Sequence, residues 1–182
     1  MRVIAGKYKS RVLKAPKSSL TRPTTDKNKE NMFNILNPYL SSGNVLDLFG
    51  GSGGLGIEAL SRGYNYLYSC DKQYEAFKTI KENIKTLGIN DALVLKMDYK
   101  KALSKLKENQ IKIDLVFLDP PYGKGMVDGI MDTLDHDSLL NNEAIIVIEE
   151  LIETKFDLSN SYQLLKRKEY GITALNIYRY EV

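Results

Sequence analysis

Val45-Leu46-Asp47-Leu48-Phe49-Gly50-Gly51-Ser52-Gly53-Gly54-Leu55-Gly56 decides the fold. Val45–Phe49 is of strand-forming type, a glycine-rich loop follows, and Ile57–Arg62 continues as a helix that stops at Gly63. The apex of such a turn carries almost no side chains, so its backbone can adopt positive φ and approach a ligand closely. The helix N-terminus then offers free N–H groups to a polar or anionic group.

Working outward, the same alternation repeats. Tyr66–Cys70 reads as a second strand. Tyr74, Phe77, Ile80, Ile84 and Leu87 recur at helical spacing, predicting an amphipathic helix closed by Gly88. Ala92–Met97 reads as a third strand and Lys100–Glu108 as a short helix. Ile113–Leu118, apolar apart from Asp114, suits a strand covered on both faces. Ala144–Ile148 is another, and two β-rich stretches flank a turn at Tyr170-Gly171. This order predicts an α/β sandwich around a mostly parallel sheet.

Residues 1–40 differ in character from this body of residues 41–182. Arg2–Ala5 and Arg11–Lys14 can pair as a basic hairpin around Gly6. Pro16, Thr21 and Pro23 punctuate a loop, and Thr24 or Thr25 caps a helix to about Leu36 with Asp26 in its first turn. The first 29 residues hold nine Lys or Arg and one acid, whereas the other 153 hold 17 basic and 22 acidic residues. A basic arm on a mildly acidic body points to a polyanionic partner. One cysteine, Cys70, and one histidine, His136, exclude a Cys-based zinc site and paired-His motifs, so no metal is expected. Cys70 reads as an inert core thiol and His136 as a surface residue. No apolar run is long enough for a signal peptide or a membrane span, so a cytoplasmic protein is expected.

Two acids sharpen the glycine loop. Gly51, Gly53 and Gly56 satisfy G-x-G-x-x-G, which alone also fits a dinucleotide site. Asp71, ending the second strand, can take both hydroxyls of a ribose in either case. Asp47 discriminates: a carboxylate there welcomes an ammonium-bearing ligand such as S-adenosylmethionine and repels a pyrophosphate. Asp98 is placed to accept from an adenine amine or to cap a helix. Asp119-Pro120-Pro121-Tyr122 then follows a buried strand. Its two prolines stiffen the loop and present carbonyls, so the Asp119 carboxylate and the Pro120 carbonyl suit a planar NH₂ group. Tyr122 can stack on the base that carries that amine.

Three stretches together resemble the bacterial small-subunit rRNA (guanine-N2)-methyltransferases of the RsmD type. They are Met1–Tyr8 with Thr21–Leu36, Val45–Gly63, and Val116–Tyr122, with Tyr170-Gly171 as a minor match. The resemblance covers essentially the whole chain. It implies a class I methyltransferase fold, a Rossmann-like seven-stranded mostly parallel sheet with its last strand antiparallel, carrying the small basic N-terminal extension. It implies S-adenosylmethionine lying over Asp47, Phe49, Gly51, Gly53 and Gly56, leaving as S-adenosylhomocysteine, with Asp71 and Asp98 on its ribose and adenine. It further implies rRNA contacts from Arg2, Lys7, Lys9, Arg11, Arg22 and Thr24 near the cofactor, and 16S rRNA of the small subunit or an assembly intermediate as partner. Nothing in the sequence suggests an obligate dimer, so a monomer is expected. Gly50 replaces a usual alanine, a change the loop is expected to tolerate. Lys27 and Lys29 replace arginines, keeping charge for phosphates but losing bidentate contacts. The competing readings are a DNA adenine N6-methyltransferase, a non-catalytic RNA-binding or ribosome-assembly module of the same fold, and, least favoured, an NAD(P) dehydrogenase.

Overall fold

A computed structural model describes residues 1–17 and 25–182. Its elements in chain order are α1 (Asp26–Leu36), β1 (Asn44–Asp47), α2 (Gly54–Ser61), β2 (Tyr66–Cys70), α3 (Tyr74–Leu87), β3 (Ala92–Leu95), α4 (Tyr99–Glu108), β4 (Ile113–Leu118), α5 (Val127–His136), β5 (Leu140–Leu151), β6 (Tyr162–Tyr170) and β7 (Thr173–Tyr180). One seven-stranded sheet runs β3-β2-β1-β4-β5-β7-β6. The first five strands are parallel, and β7 inserts antiparallel between β5 and β6. This is the sheet the resemblance implies, and the Tyr170-Gly171 turn closes the final hairpin with Gly171 at φ 58°.

Strand alternation divides the core into two layers. Leu46, Val116, Leu118, Ile146 and Ile148 face α4 and α5, packing on Leu103, Leu106, Ile130 and Leu134. Val45, Leu115, Phe117, Ile145 and Val147 face the other way, onto Phe33 and Leu36 of α1 and Ile57 and Leu60 of α2. Helix α5 received no assignment from the sequence, although Val127, Ile130, Met131 and Leu134 carry helical spacing and are buried. Strand β5 is longer than Ala144–Ile148 because β7 pairs with it as far as Leu151. Cys70 is buried, its thiol pushed up to about 12 chiefly by that burial, and His136 is exposed beside Asp137 at 3.1 Å.

The N-terminal hairpin forms, with Val3 N–H donating to Arg11 O at 2.9 Å and Ser10 N–H to Val3 O at 2.8 Å. Thr25 caps α1, accepting from Asn28 N–H at 3.2 Å. The hairpin docks on α2 through fully buried Glu58, which accepts the N–H groups of Ile4 (2.9 Å) and Ala5 (3.0 Å). Glu58 also pairs with Lys29 at 3.3 Å and Arg62 at 2.9 Å. Lys29 is itself fully buried, and its burial lowers its pKa against the pull of Glu58. It is thus a docking residue, which corrects its expected place among the phosphate contacts. At Gly6, φ is +82° and a Cβ would stand 1.7 Å from the Ser61 carbonyl oxygen. Only glycine lets the hairpin sit this close.

Candidate active site

The parallel strands end on one edge of the sheet, and the strand order reverses there between β1 and β4. Such a switch point opens the crevice in which α/β sheets bind ligands. A cavity of about 1450 Å³ lies there, larger than one small ligand requires. Carboxylates from successive strands line it: Asp47 closes β1, Asp71 and Asp98 lie beyond β2 and β3, Asp119 follows β4, and Glu149 stands in β5.

Asp47 is buried at the end of β1, and the backbone N–H groups of Phe49 and Gly56 favour its ionised form. Its burial, and then the charge of Asp71, push its pKa up to about 7. Asp71 reaches back to the loop, Oδ2 accepting Gly51 N–H at 3.1 Å and Oδ1 accepting Gln73 N–H at 2.9 Å. A Cβ on Gly51 (φ +57°) would meet nothing within 4 Å, whereas one on Gly56 would stand 2.5 Å from Leu67 Cδ1. Gly51 therefore serves the loop's conformation and Gly56 the close approach of α2 to β2. Gly53 completes the turn at φ +80°. Gly50 is tighter than its sequence reading suggests: a Cβ there would meet Ser69 Oγ at 2.5 Å and Ile80 Cδ1 at 2.7 Å, so alanine requires both side chains to shift. Phe49 lines the cavity and packs on Tyr99 with ring centroids 6.0 Å apart. Asp98 lines it too while capping α4 through Lys101 N–H at 3.1 Å, so its two readings are compatible.

Asp119 and Glu149 stand side by side. Leu118 and Ile148 are partners in the β4–β5 ladder, and the two acids are the next residues on each chain. Burial, and then the Glu149 charge, push Asp119 up to about 8. Tyr122 donates its hydroxyl to Glu149 Oε1 at 2.7 Å. Glu150, buried, accepts the N–H groups of Gly123 at 3.0 Å and Leu151 at 2.9 Å. The Asp-Pro-Pro-Tyr loop is thus pinned to β5 at two points, and Asp119 through Tyr122 all line the cavity.

Met1, Ala15 and Pro16 bring the base of the hairpin to the cavity wall. Its tip does not reach the glycine loop. Lys7 N–H bonds Ser61 O at the far end of α2, and Arg11 bonds Thr86 O near the end of α3. Ser61 lies seven residues beyond Gly54 at the other end of α2, about 10 Å away at 1.5 Å per residue. Arg2, Lys7, Lys9 and Arg11 are exposed, and Lys7, Lys9 and Arg11 form a patch set apart from the glycine loop. Arg22 and Thr24 lie outside the described residues. Sequence reasoning gave no part to Glu58, Asn83, Glu149 or Glu150. Asn83 joins three segments, accepting Lys14 N–H at 2.8 Å and donating to Lys14 O at 3.0 Å and Ser52 O at 2.9 Å. A polar side chain on a helix face that otherwise packs inward is the one signal that could have exposed it.

Residues 1–179 match the family model described as conserved hypothetical protein 95. YlbH of Bacillus subtilis is 42% identical over 186 residues, covering 98% of each chain. Ribosomal RNA small subunit methyltransferase D of Escherichia coli strain K12 is 31% identical over 182 residues, covering 100% of this chain and 90% of that protein. The solved structure of yhhF from Escherichia coli superimposes with a TM-score of 0.84 at 30% identity, covering 100% of this chain and 98% of that one. The sheet order, the glycine loop of β1–α2 and the full-length match agree: the chain has the class I methyltransferase fold and belongs to the conserved hypothetical protein 95 family, the RsmD-type family its motifs resemble.

Proposed function

We propose that the chain transfers a methyl group from S-adenosylmethionine to the exocyclic N2 amine of a guanine in 16S rRNA, on the small subunit or an assembly intermediate. The observation that carries this reading is the charge of the crevice next to the Asp-Pro-Pro-Tyr loop. Asp47, Asp71, Asp98, Asp119 and Glu149 face it, Lys72 and Lys124 are exposed at its margin, and Lys29 is committed to Glu58. An acidic wall accepts N–H donors and cations and disfavours a pyrophosphate, which sets the dehydrogenase reading aside. The name of the Escherichia coli relative supports small-subunit rRNA as the substrate class.

The donor set suits the cofactor. Asp47 and the Gly51–Gly56 turn would hold its amino-acid end, Asp71 its ribose hydroxyls, and Asp98 its adenine amine, with Phe49 on the same wall. Bound there, S-adenosylmethionine supplies an electrophilic methyl on a positively charged sulfur. The chain's own residues do the rest. An exocyclic base amine is a poor nucleophile because its lone pair is delocalised into the ring. The Asp119 carboxylate and the Pro120 carbonyl accept its two N–H bonds, which draws the lone pair out of conjugation and aims it. Positioning of this kind can supply up to about 7–11 kcal/mol of a barrier. Tyr122, held by Glu149, stacks on the extruded base. The methylated amine must lose a proton, and a carboxyl raised to about 8 is matched to take it near neutral pH. The exposed Arg2, Lys7, Lys9 and Arg11 serve phosphates outside the crevice.

Replacing Asp119 by Ala tests this. Calorimetry is expected to show S-adenosylmethionine binding retained within a few-fold, while methyl transfer falls by about 10³ or more. Parallel loss of binding and turnover would count against the assigned role.

A further inference from the structure

Glu149 has no part in the mechanism above beyond holding Tyr122, yet its placement asks for more. It follows the buried run Ala144–Ile148 and sits beside Asp119 across the β4–β5 ladder, where neighbouring parallel strands lie about 4.8 Å apart. Its antiparallel partner on β7, Leu175, also lines the cavity, so Glu149 faces the site while Glu150 turns to hold Gly123 and Leu151. Tyr122 donates to Oε1 of Glu149. The site therefore presents two acidic side chains to one base edge.

This arrangement matters because the amino bases differ next to the amine. Adenine and cytosine carry an acceptor nitrogen beside their exocyclic NH₂. Guanine alone carries a donor, N1–H, beside N2. An ionised carboxylate only accepts. Facing adenine or cytosine, a second carboxylate meets a lone pair, and two unpaired acceptors in a dry cavity are costly. Facing guanine, it meets a proton.

From this, and resting on the guanine reading above, we infer that Glu149 is the specificity-determining residue of the site, its Oε2 accepting the guanine N1–H while Asp119 and Pro120 hold N2. Glu149 makes the pocket one for a contiguous row of donors. It touches substrate and at the same time fixes the Tyr122 ring against it. The coupling to Asp119 is consistent, since the Glu149 charge is the second cause, after burial, of that carboxyl's rise.

The test uses 2-aminopurine, which keeps the N2 amine but has no N1–H. Small subunits lacking the modification are reconstituted with rRNA carrying guanine or 2-aminopurine at the mapped target nucleotide, and kcat/KM is measured for the wild type and for Glu149→Gln. A site built on a substrate N–H rejects the analogue lacking it by 10² or more, so the wild type is expected to prefer guanine by at least about that factor. Gln keeps the size and can turn either its oxygen or its amide to the base, so E149Q is expected to lose about 10–100-fold on guanine and to narrow the guanine-to-2-aminopurine ratio at least tenfold. Removing the Glu149 charge should also move the acid limb of kcat to lower pH, a shift that a merely structural role would not give. Tyr122→Phe, which deletes the hydroxyl and leaves Glu149, is expected to keep the ratio. Equal losses on both bases in E149Q, or a wild type that does not discriminate, would overturn the inference while leaving guanine N2 transfer intact. Absence of any transfer to guanine N2 by the wild type would overturn both readings together.

Discussion

Asp47→Asn separates what the site costs the fold from what it gives the ligand. The folded carboxyl sits at about 7 against an ordinary value of 3.8, a displacement of about 3 pH units, worth about 4 kcal/mol at 1.36 kcal/mol per unit. The sign follows from linkage. A carboxyl whose pKa is raised on folding favours the folded state only while protonated, so its contribution is intact below pH 4 and is lost as pH climbs to about 7. Asn imitates the protonated form at every pH, but its single amide oxygen answers the backbone N–H groups of Phe49 and Gly56, which favour the carboxylate, less well, a loss of about 1 kcal/mol that does not vary with pH. At pH 4.5 the ionisation penalty it removes is also about 1 kcal/mol, so variant and wild type should melt together. At pH 8.5 the variant should be more stable by about 3 kcal/mol, or about 6–12 °C for a domain of this size. S-adenosylmethionine affinity should move the other way, falling about 10–100-fold at pH 8.5 as a charge-assisted contact is lost. Thermal melts of the ligand-free protein at both pH values and calorimetry at the higher one read all three quantities. A variant less stable than the wild type at pH 8.5, or one binding equally well, would refute the role given to this buried carboxylate.

Other perturbations reach other parts of the molecule. Glu58→Gln leaves fully buried Lys29 without its counter-ion. Breaking such a pair costs about 3–5 kcal/mol, so the melting temperature should drop by roughly 6–20 °C; a shift under about 2 °C would show that the docking of the N-terminal hairpin does not depend on this charge. Neutralising Lys7, Lys9 and Arg11 together should weaken rRNA binding and reduce its salt slope by about 2–3 without changing S-adenosylmethionine affinity. Unchanged rRNA affinity would remove the outlying patch from the interface.

Much of this architecture is legible in local pattern. The strand, glycine turn and helix at Val45–Arg62 announce themselves, and so does the Asp-Pro-Pro-Tyr loop, because each packs its chemistry into consecutive residues. What escapes has a different origin. Glu149 and Asp119 are thirty residues apart and become neighbours only through the β4–β5 register. Lys29 and Glu58 are likewise distant in sequence, and a lysine in a charge-rich segment reads as solvated until its partner is known. Helix α5 is masked by Gly129 and by the acids among Val127, Ile130, Met131 and Leu134, although their spacing is helical. The reach of the basic arm depended on where Gly6 and Ser61 meet, a contact no periodicity encodes.

The most direct test of the whole account supplies labelled S-adenosylmethionine to small ribosomal subunits lacking the modification, with deproteinised rRNA and double-stranded DNA in parallel, and identifies the labelled nucleoside by mass spectrometry. The account predicts N2-methylguanosine in the subunits and none in the DNA. N6-methyladenine in the DNA, or no transfer to any substrate by a protein that measurably binds S-adenosylmethionine, would contradict it.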